Sequence, residues 1–217
     1  MRQYYNLVVV RVWLIRLLSL MGALAPPVII AVVIVAGAQT PGYGHLRDSI
    51  SSLAEQGSRN PLLLNTGFVV YGVLIMGFAG ALYIRLRHGI RARVAWGMLT
   101  LYGVSMVFAG VFQDSPGGTN DTLNAEGFLH NTAIITSCIA VLLGMWAFAG
   151  SVYQRPSWLG FTWFTIAASF LGLVLSIVFA VQTHVPMAGL LQRFFYCVIL
   201  VWIAAVSIWL LRLSFKE

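Results

Sequence analysis

Charge is what this sequence has least of. Asp, Glu, Lys and Arg together make up 9% of its 217 residues, where a soluble domain carries about 25%. With 59% hydrophobic residues and a mean hydropathy of +0.87, a soluble fold is excluded, because a chain of this length could not hide so much apolar surface. Cysteine is also scarce. Cys138 and Cys197 both sit inside apolar runs and are expected to be reduced packing residues rather than a disulfide or a metal pair. The histidines show neither H-E-x-x-H nor H-x-x-x-H spacing, and "DSISS" lacks the glycine frame of a nucleophile elbow. There is no internal repeat. The only interrupted helix pattern is "APP" at Ala25-Pro26-Pro27, whereas carriers tend to show paired broken helices.

What the chain does have is six apolar runs, at about 17–39, 61–84, 94–112, 128–150, 158–181 and 193–211. Each is close to the ~20 residues that cross a bilayer. The fold class expected is therefore an all-α integral membrane bundle of six transmembrane helices in one domain, with the lipid bilayer as its first partner. The stretch "YYNLVVVRVWLIR" reads as an interfacial lead-in or an extension of the first helix. That first run is long for a signal peptide, despite an A-x-A arrangement at Ala36 and Ala38, so a retained anchor is expected.

The net charge of +7 does not point to nucleic acid, because the basic residues flank apolar runs. Arg2, Arg11, Arg16, Arg85, Arg87, Arg91, Arg93, Arg155, Arg212 and Lys216 fall on one side of a six-pass zigzag; Arg47, Arg59 and Arg193 fall on the other. The positive-inside rule then puts both termini in the cytoplasm of a cell-membrane protein. The acids do the reverse: Asp48, Glu55, Asp114, Asp121 and Glu126 all lie outside, leaving only Glu217 inside.

Small residues recur every four positions at Thr132, Thr136, Ala140 and Gly144, and at Ala168, Gly172, Ser176 and Ala180. Such stripes let helix backbones approach, so helices four and five are expected to pack together. Aromatics near run ends, including Tyr43, Tyr71, Trp158 and Tyr196, are expected in the interfacial belt.

The outer connections carry the chemistry. In "FQDSPGGTNDTLNAEGFLH", residues 112–130, Asn120 or Asp121 is expected to cap helix four. Glu126 and His130, four apart, share one helix face. Asn65, His130 and Arg193 are expected to face inward, since polar groups at membrane depth turn toward protein or a wet cavity. Glu126, His130 and Arg193 are expected to form a paired network. With Asn65, Asp114 and Asp48 they are the six candidate ligand-binding residues of a polar outer pocket for a lipid headgroup or small molecule.

"ISSLAEQGSRNPLLLNTGFVVYGVL" resembles an uncharacterised prokaryotic multi-pass membrane family, domain of unknown function 998. The resemblance is carried by Ile50-Ser51, Leu53, Gly57, Asn60-Pro61, Asn65 and Gly72. Further matches are the aromatic-x-acid element Phe112-Gln113-Asp114, then Gly127 and His130. Gln113 departs from the proline of that pattern. The layout is distantly similar to the damage-regulated autophagy modulator family. The resemblance implies six helices and a polar outer site, and brings no established reaction.

Four other readings stand beside binding. A membrane metal-dependent hydrolase would gather His45, His130 and His184 with Asp114 and Glu126 around zinc; the scattered spacing speaks against it. A proton-coupled carrier would need intramembrane relays, and the helix centres lack charge. An accessory subunit of a larger membrane complex is compatible with the apolar faces. Haem would need a second intramembrane histidine beside His130. No cofactor or metal is expected, and a binding role is favoured over an enzymatic one.

Overall fold

The computed structural model describes residues 2–86, 89–116, 124–181 and 187–215, with side chains from residue 9 onward. Six helices dominate: α1 (Arg2–Gln39), α2 (Pro61–Leu86), α3 (Ile90–Val111), α4 (Ala125–Val152), α5 (Leu159–Val181) and α6 (Ala188–Ser214). Each contains a stretch long and apolar enough to cross a membrane. The chain is therefore an all-α, multi-pass membrane protein. Helices suit this setting because they satisfy their own backbone groups where no water is available.

Local chemistry sets the ends. The Thr40 hydroxyl donates to Ala36 O at 2.9 Å, and Gly42 follows at a φ of 78°, so the chain turns away after α1. Pro61 opens α2, where its missing N–H costs nothing. Gly89, at a φ of 94°, precedes α3. The sequence-based spans run short: α1 extends back to Arg2, α3 to Ile90, α4 to Ala125 and α6 to Ala188. Amphipathic flanks continue a helix past the purely apolar segment, so "YYNLVVVRVWLIR" is helix extension.

Each helix packs on the next in sequence, and α6 returns to α1, closing a ring. Trp202 of α6 fills its centre. Its indole N–H donates to Thr165 of α5 at 2.8 Å, and Phe78 of α2 and Phe148 of α4 meet it edge-on. The hydroxyls of Tyr71 and Tyr102 join α2 to α3 at 2.8 Å. Tyr71 and Trp158, expected in the interfacial belt, are instead core residues, 1% and 2% exposed. Outward faces carry Trp13, Leu17, Leu24, Ile34, Trp163 and Phe170, a surface that suits lipid and not water.

The tightest helix crossing is α2 on α3. A Cβ built on Gly103 would lie 2.7 Å from Gly72 O, and one on Gly72 would lie 2.9 Å from Val107 N. Contact between α4 and α5 also forms, with Gly172 against Leu142. The α4 stripe does not serve that contact alone, since Gly144 faces Leu99 of α3.

Arginines gather at one end of the ring and do a second job there. Arg11 donates to Ile84 O, Arg155 to Leu86 O, Arg91 to Gly150 O and Arg16 to Ser214 O, at 2.9–3.2 Å. These carbonyls close α2, α4 and α6, whose last-turn acceptors have no partner within the helix. A cation there also favours the negative end of the helix dipole.

Candidate functional site

The opposite end holds Asp48, Glu55, Asp114 and Glu126 and the 40–60 connection. That connection folds back over α6. The N–H groups of Gly189 and Leu190, in the first turn of α6, donate to the carbonyls of Arg47 and Leu46 at 3.1 and 2.9 Å, which answers the unpaired donors of a helix start. Gln192 Oε1 accepts from Ile50 N at 2.6 Å. Arg193 completes the latch: its guanidinium donates to Asp48 O and Gly189 O, each at 2.9 Å, to the Tyr43 hydroxyl, and to His45 Nδ1 at 3.2 Å.

Arg47 grips Asp48 with both arms, Nε to Oδ1 at 2.7 Å and Nη2 to Oδ2 at 2.8 Å. These bonds, helped by the Gly44 N–H, hold the Asp48 carboxyl below the usual aspartate range. Burial raises the Tyr43 phenol above its ordinary value, and the neighbouring Arg193 charge only partly offsets this.

A second seam joins the 40–60 connection to α4. Gln56 N donates to Asp114 O at 3.0 Å. The Gln56 side chain accepts from Asn124 at 2.8 Å and donates to Glu126 at 3.1 Å. Asn124 caps α4, accepting from Gly127 N at 2.9 Å. This corrects the expected cap at Asn120 or Asp121, both of which lie outside the described residues. A short polar side chain with extended backbone directly before the first helical residue is what a cap requires, and Asn124 meets that condition.

The expected network of Glu126, His130 and Arg193 does not form. His130 is fully buried, and its Nδ1 lies 2.9 Å from Ala109 O and 3.0 Å from Phe112 O. Both partners are acceptors, so Nδ1 carries the proton. The reason lies in α3: Ala109 sits in its last turn, where carbonyls lack intrahelical donors, and the imidazole supplies one. Glu126, one turn earlier, stays at the rim with Gln56. Arg193 is held by the loop.

Asp48, Asp114 and His130 line one chamber of about 660 Å³, together with serines 49, 51 and 52, Glu55, Gln192 and Tyr196. Asp114 is only 4% exposed, and its Oδ1 accepts from Ser115 N at 2.8 Å. His130 Nε2 is buried without a protein partner, and so is Asn65 Oδ1. With Nδ1 committed as a donor, Nε2 is a lone-pair acceptor. An unmatched buried acceptor costs about 1–3 kcal/mol and calls for an explanation.

A second cavity, about 450 Å³, runs between α1 and α6 to Tyr71 and Met106 inside the ring. Its walls are aliphatic and aromatic except at the outer end, where His45 and Arg193 stand. Ile50, Phe68 and Tyr196 line both spaces.

Of the six expected site residues, the structure brings Asp48, Asp114 and His130 to the chamber. It sets Arg193 at the mouth of the groove, leaves Glu126 at the rim and buries Asn65 among helix residues. Tyr43 and Tyr196 escaped notice as site residues because they read as belt aromatics. The position of Tyr196, three after Arg193 on the same helix face, was the available signal. Among the described residues no three of His, Cys, Asp and Glu converge on a point that would hold a metal; His184 lies outside the described residues. Cys138 and Cys197 are free thiols.

No curated protein and no solved structure matches the chain, so these comparisons add nothing to the distant likeness to damage-regulated autophagy modulators. A family match extends from Ala23 in α1 to Trp209 in α6, spanning the ring and both cavities. The chain belongs to the family described as protein of unknown function (DUF998), over residues 23–209.

Proposed function

We propose that this protein is a binding protein of the cell membrane that holds a lipid headgroup or small molecule in the chamber at its acidic end. The one observation that carries the reading is that His130, whose buried Nε2 has no partner, lines the chamber together with Asp114. Ligand pockets of 300–1,000 Å³ with a few convergent polar groups are the common form of such sites, and about 660 Å³ falls in that range. The chamber faces outward and both termini are cytoplasmic in this reading, because the arginine-rich end follows the positive-inside rule.

Binding is favoured over catalysis because His130 Nδ1 contacts two carbonyls and no carboxylate. A backbone carbonyl at that nitrogen fixes the tautomer but does not supply the negative charge by which an acid partner stabilises an imidazolium.

The test is mass-spectrometric profiling of small molecules and lipids that co-purify with the full chain in mild detergent. Asp114→Asn and His130→Ala are expected to fold and to lose the retained species. If both variants keep it at the occupancy of the unmodified protein, the chamber is not the site.

A further inference from the structure

The chamber and the groove share three wall residues, Ile50, Phe68 and Tyr196, and their chemistries are opposite. We infer that the ligand is a zwitterionic amphiphile: an amine-bearing headgroup in the chamber, its phosphate at Arg193, and an acyl chain in the groove between α1 and α6. This rests on the chamber reading above and names the class of ligand.

Three observations support it. The first is the demand of the chamber. His130 Nε2 accepts and does not donate, and no cation meets the Asp114 carboxylate among the described residues. Arg47, the one arginine lining the chamber among the described residues, is already bound to Asp48. The unpaired acceptors of this wall are met by a ligand that donates hydrogen bonds and carries positive charge, as an ammonium group does.

The second is the charge at the groove mouth. Arg193 is half-buried, and all four of its recorded acceptors are neutral: two carbonyls, a phenol and an imidazole nitrogen. Its guanidinium thus donates to no carboxylate, although its charge reaches that of Asp48, and it stands at the outer end of an apolar slot. A phosphate there would complete it.

The third is shape. At Gly22, α1 lies so close to α6 that an added Cβ would collide with the Ser207 hydroxyl. One turn further out the groove begins at Pro26 and Ala204. It therefore closes at its inner end and opens toward the headgroup level, as an acyl chain hanging from a polar group requires. Its three shared wall residues, Ile50, Phe68 and Tyr196, put that chain directly beside the chamber.

Energetically the two halves differ. A chain leaving bilayer for groove exchanges one apolar medium for another, so it gains packing and little else. Selectivity must come from the head. We therefore expect phosphatidylethanolamine to be retained about tenfold or more over phosphatidic acid of the same chains, the size of one charge-assisted hydrogen bond.

The experiment is native mass spectrometry of the full chain, released from detergent with phosphatidylethanolamine, phosphatidic acid or chain-free glycerophosphoethanolamine. Asp114→Asn is expected to abolish the preference between the two lipids. Ala204→Phe, which fills the groove and leaves the chamber intact, is expected to lower lipid retention about tenfold and leave the weak binding of glycerophosphoethanolamine unchanged. Equal retention of both lipids by the unmodified chain would overturn the inference. So would lipid retention indifferent to Ala204→Phe alongside chain-free binding that depends on Asp114; in that case the chamber reading survives. If neither phosphatidylethanolamine nor glycerophosphoethanolamine binds, the inference fails; if profiling of co-purified species is also blank, the chamber reading fails with it.

Discussion

Gly110→Ala tests whether the α2–α3 crossing holds the site together. Gly110 lies in the last turn of α3, and an added Cβ would run into Asn65 O and sit 3.0 Å from Val69 N and 2.9 Å from Val69 Cγ2. Two of these obstacles are backbone and cannot rotate away. Tight C–H···O contacts need about 3.3–3.6 Å, so the helices must separate by roughly 1 Å at this level. Overpacking of this kind costs about 1–3 kcal/mol, and immovable backbone puts the value near the top. Against it stands the helix-propensity gain of Gly→Ala, at most ~1 kcal/mol. The crossing wins, and a net loss of about 2 kcal/mol is expected.

The consequence reaches the chamber, because Ala109 O, the neighbouring carbonyl, is one of the two acceptors that hold His130. The assay is reversible unfolding of the full chain by SDS titration in mixed micelles, run beside Gly97→Ala. Gly97 is in the same helix, and nothing lies within 4 Å of its added Cβ. That control should be neutral or more stable. The reasoning is refuted if Gly110→Ala is as stable as the unmodified chain, or if both substitutions cost the same.

Asn124→Ala should cost about 1 kcal/mol through loss of the α4 cap. Hydrogen exchange should show this as loosening of residues 125–128, with the middle of α4 unchanged. The Arg47–Asp48 pair sets a pH dependence. A carboxyl held below its ordinary value stabilises the loop above the unfolded aspartate range and loses that contribution as pH falls through its folded pKa. Amide exchange of Gly44, whose N–H binds Asp48, should therefore quicken at acid pH beyond the intrinsic rate change. In Asp48→Asn that step should vanish, and its persistence would point to another group. For sidedness, Arg59→Cys and Ser157→Cys occupy exposed positions at opposite ends of the ring. With Cys138 and Cys197 replaced by alanine, a membrane-impermeant maleimide on intact cells should label the first and spare the second; the converse pattern would invert the proposed orientation.

Sequence alone set the environment and the number of helices. Whether a segment enters a bilayer depends on its own hydropathy summed over some twenty residues, and most arginines and most acids sit at opposite ends of those segments in the chain itself. Hence six runs, the arginine-rich end and the acid-rich end were legible, and so was the convergence of Asp48, Asp114 and His130 at one level.

Partner choice was not legible, because it is settled between elements far apart in the chain. Whether His130 meets Glu126 four residues away or carbonyls eighteen and twenty-one residues back depends on where the end of α3 falls beside α4. No local pattern records that position. The same holds for Arg193, claimed by a loop some 145 residues earlier, and for the glycines of α2 and α3, whose role exists only where two backbones cross. The groove depends on three such features: α1 and α6 pinched at Gly22, the ring closed around Trp202, and an arginine held at the mouth by neutral acceptors. Tertiary packing decided these features because each is a distance between helices, and such distances arise only when all six are in place.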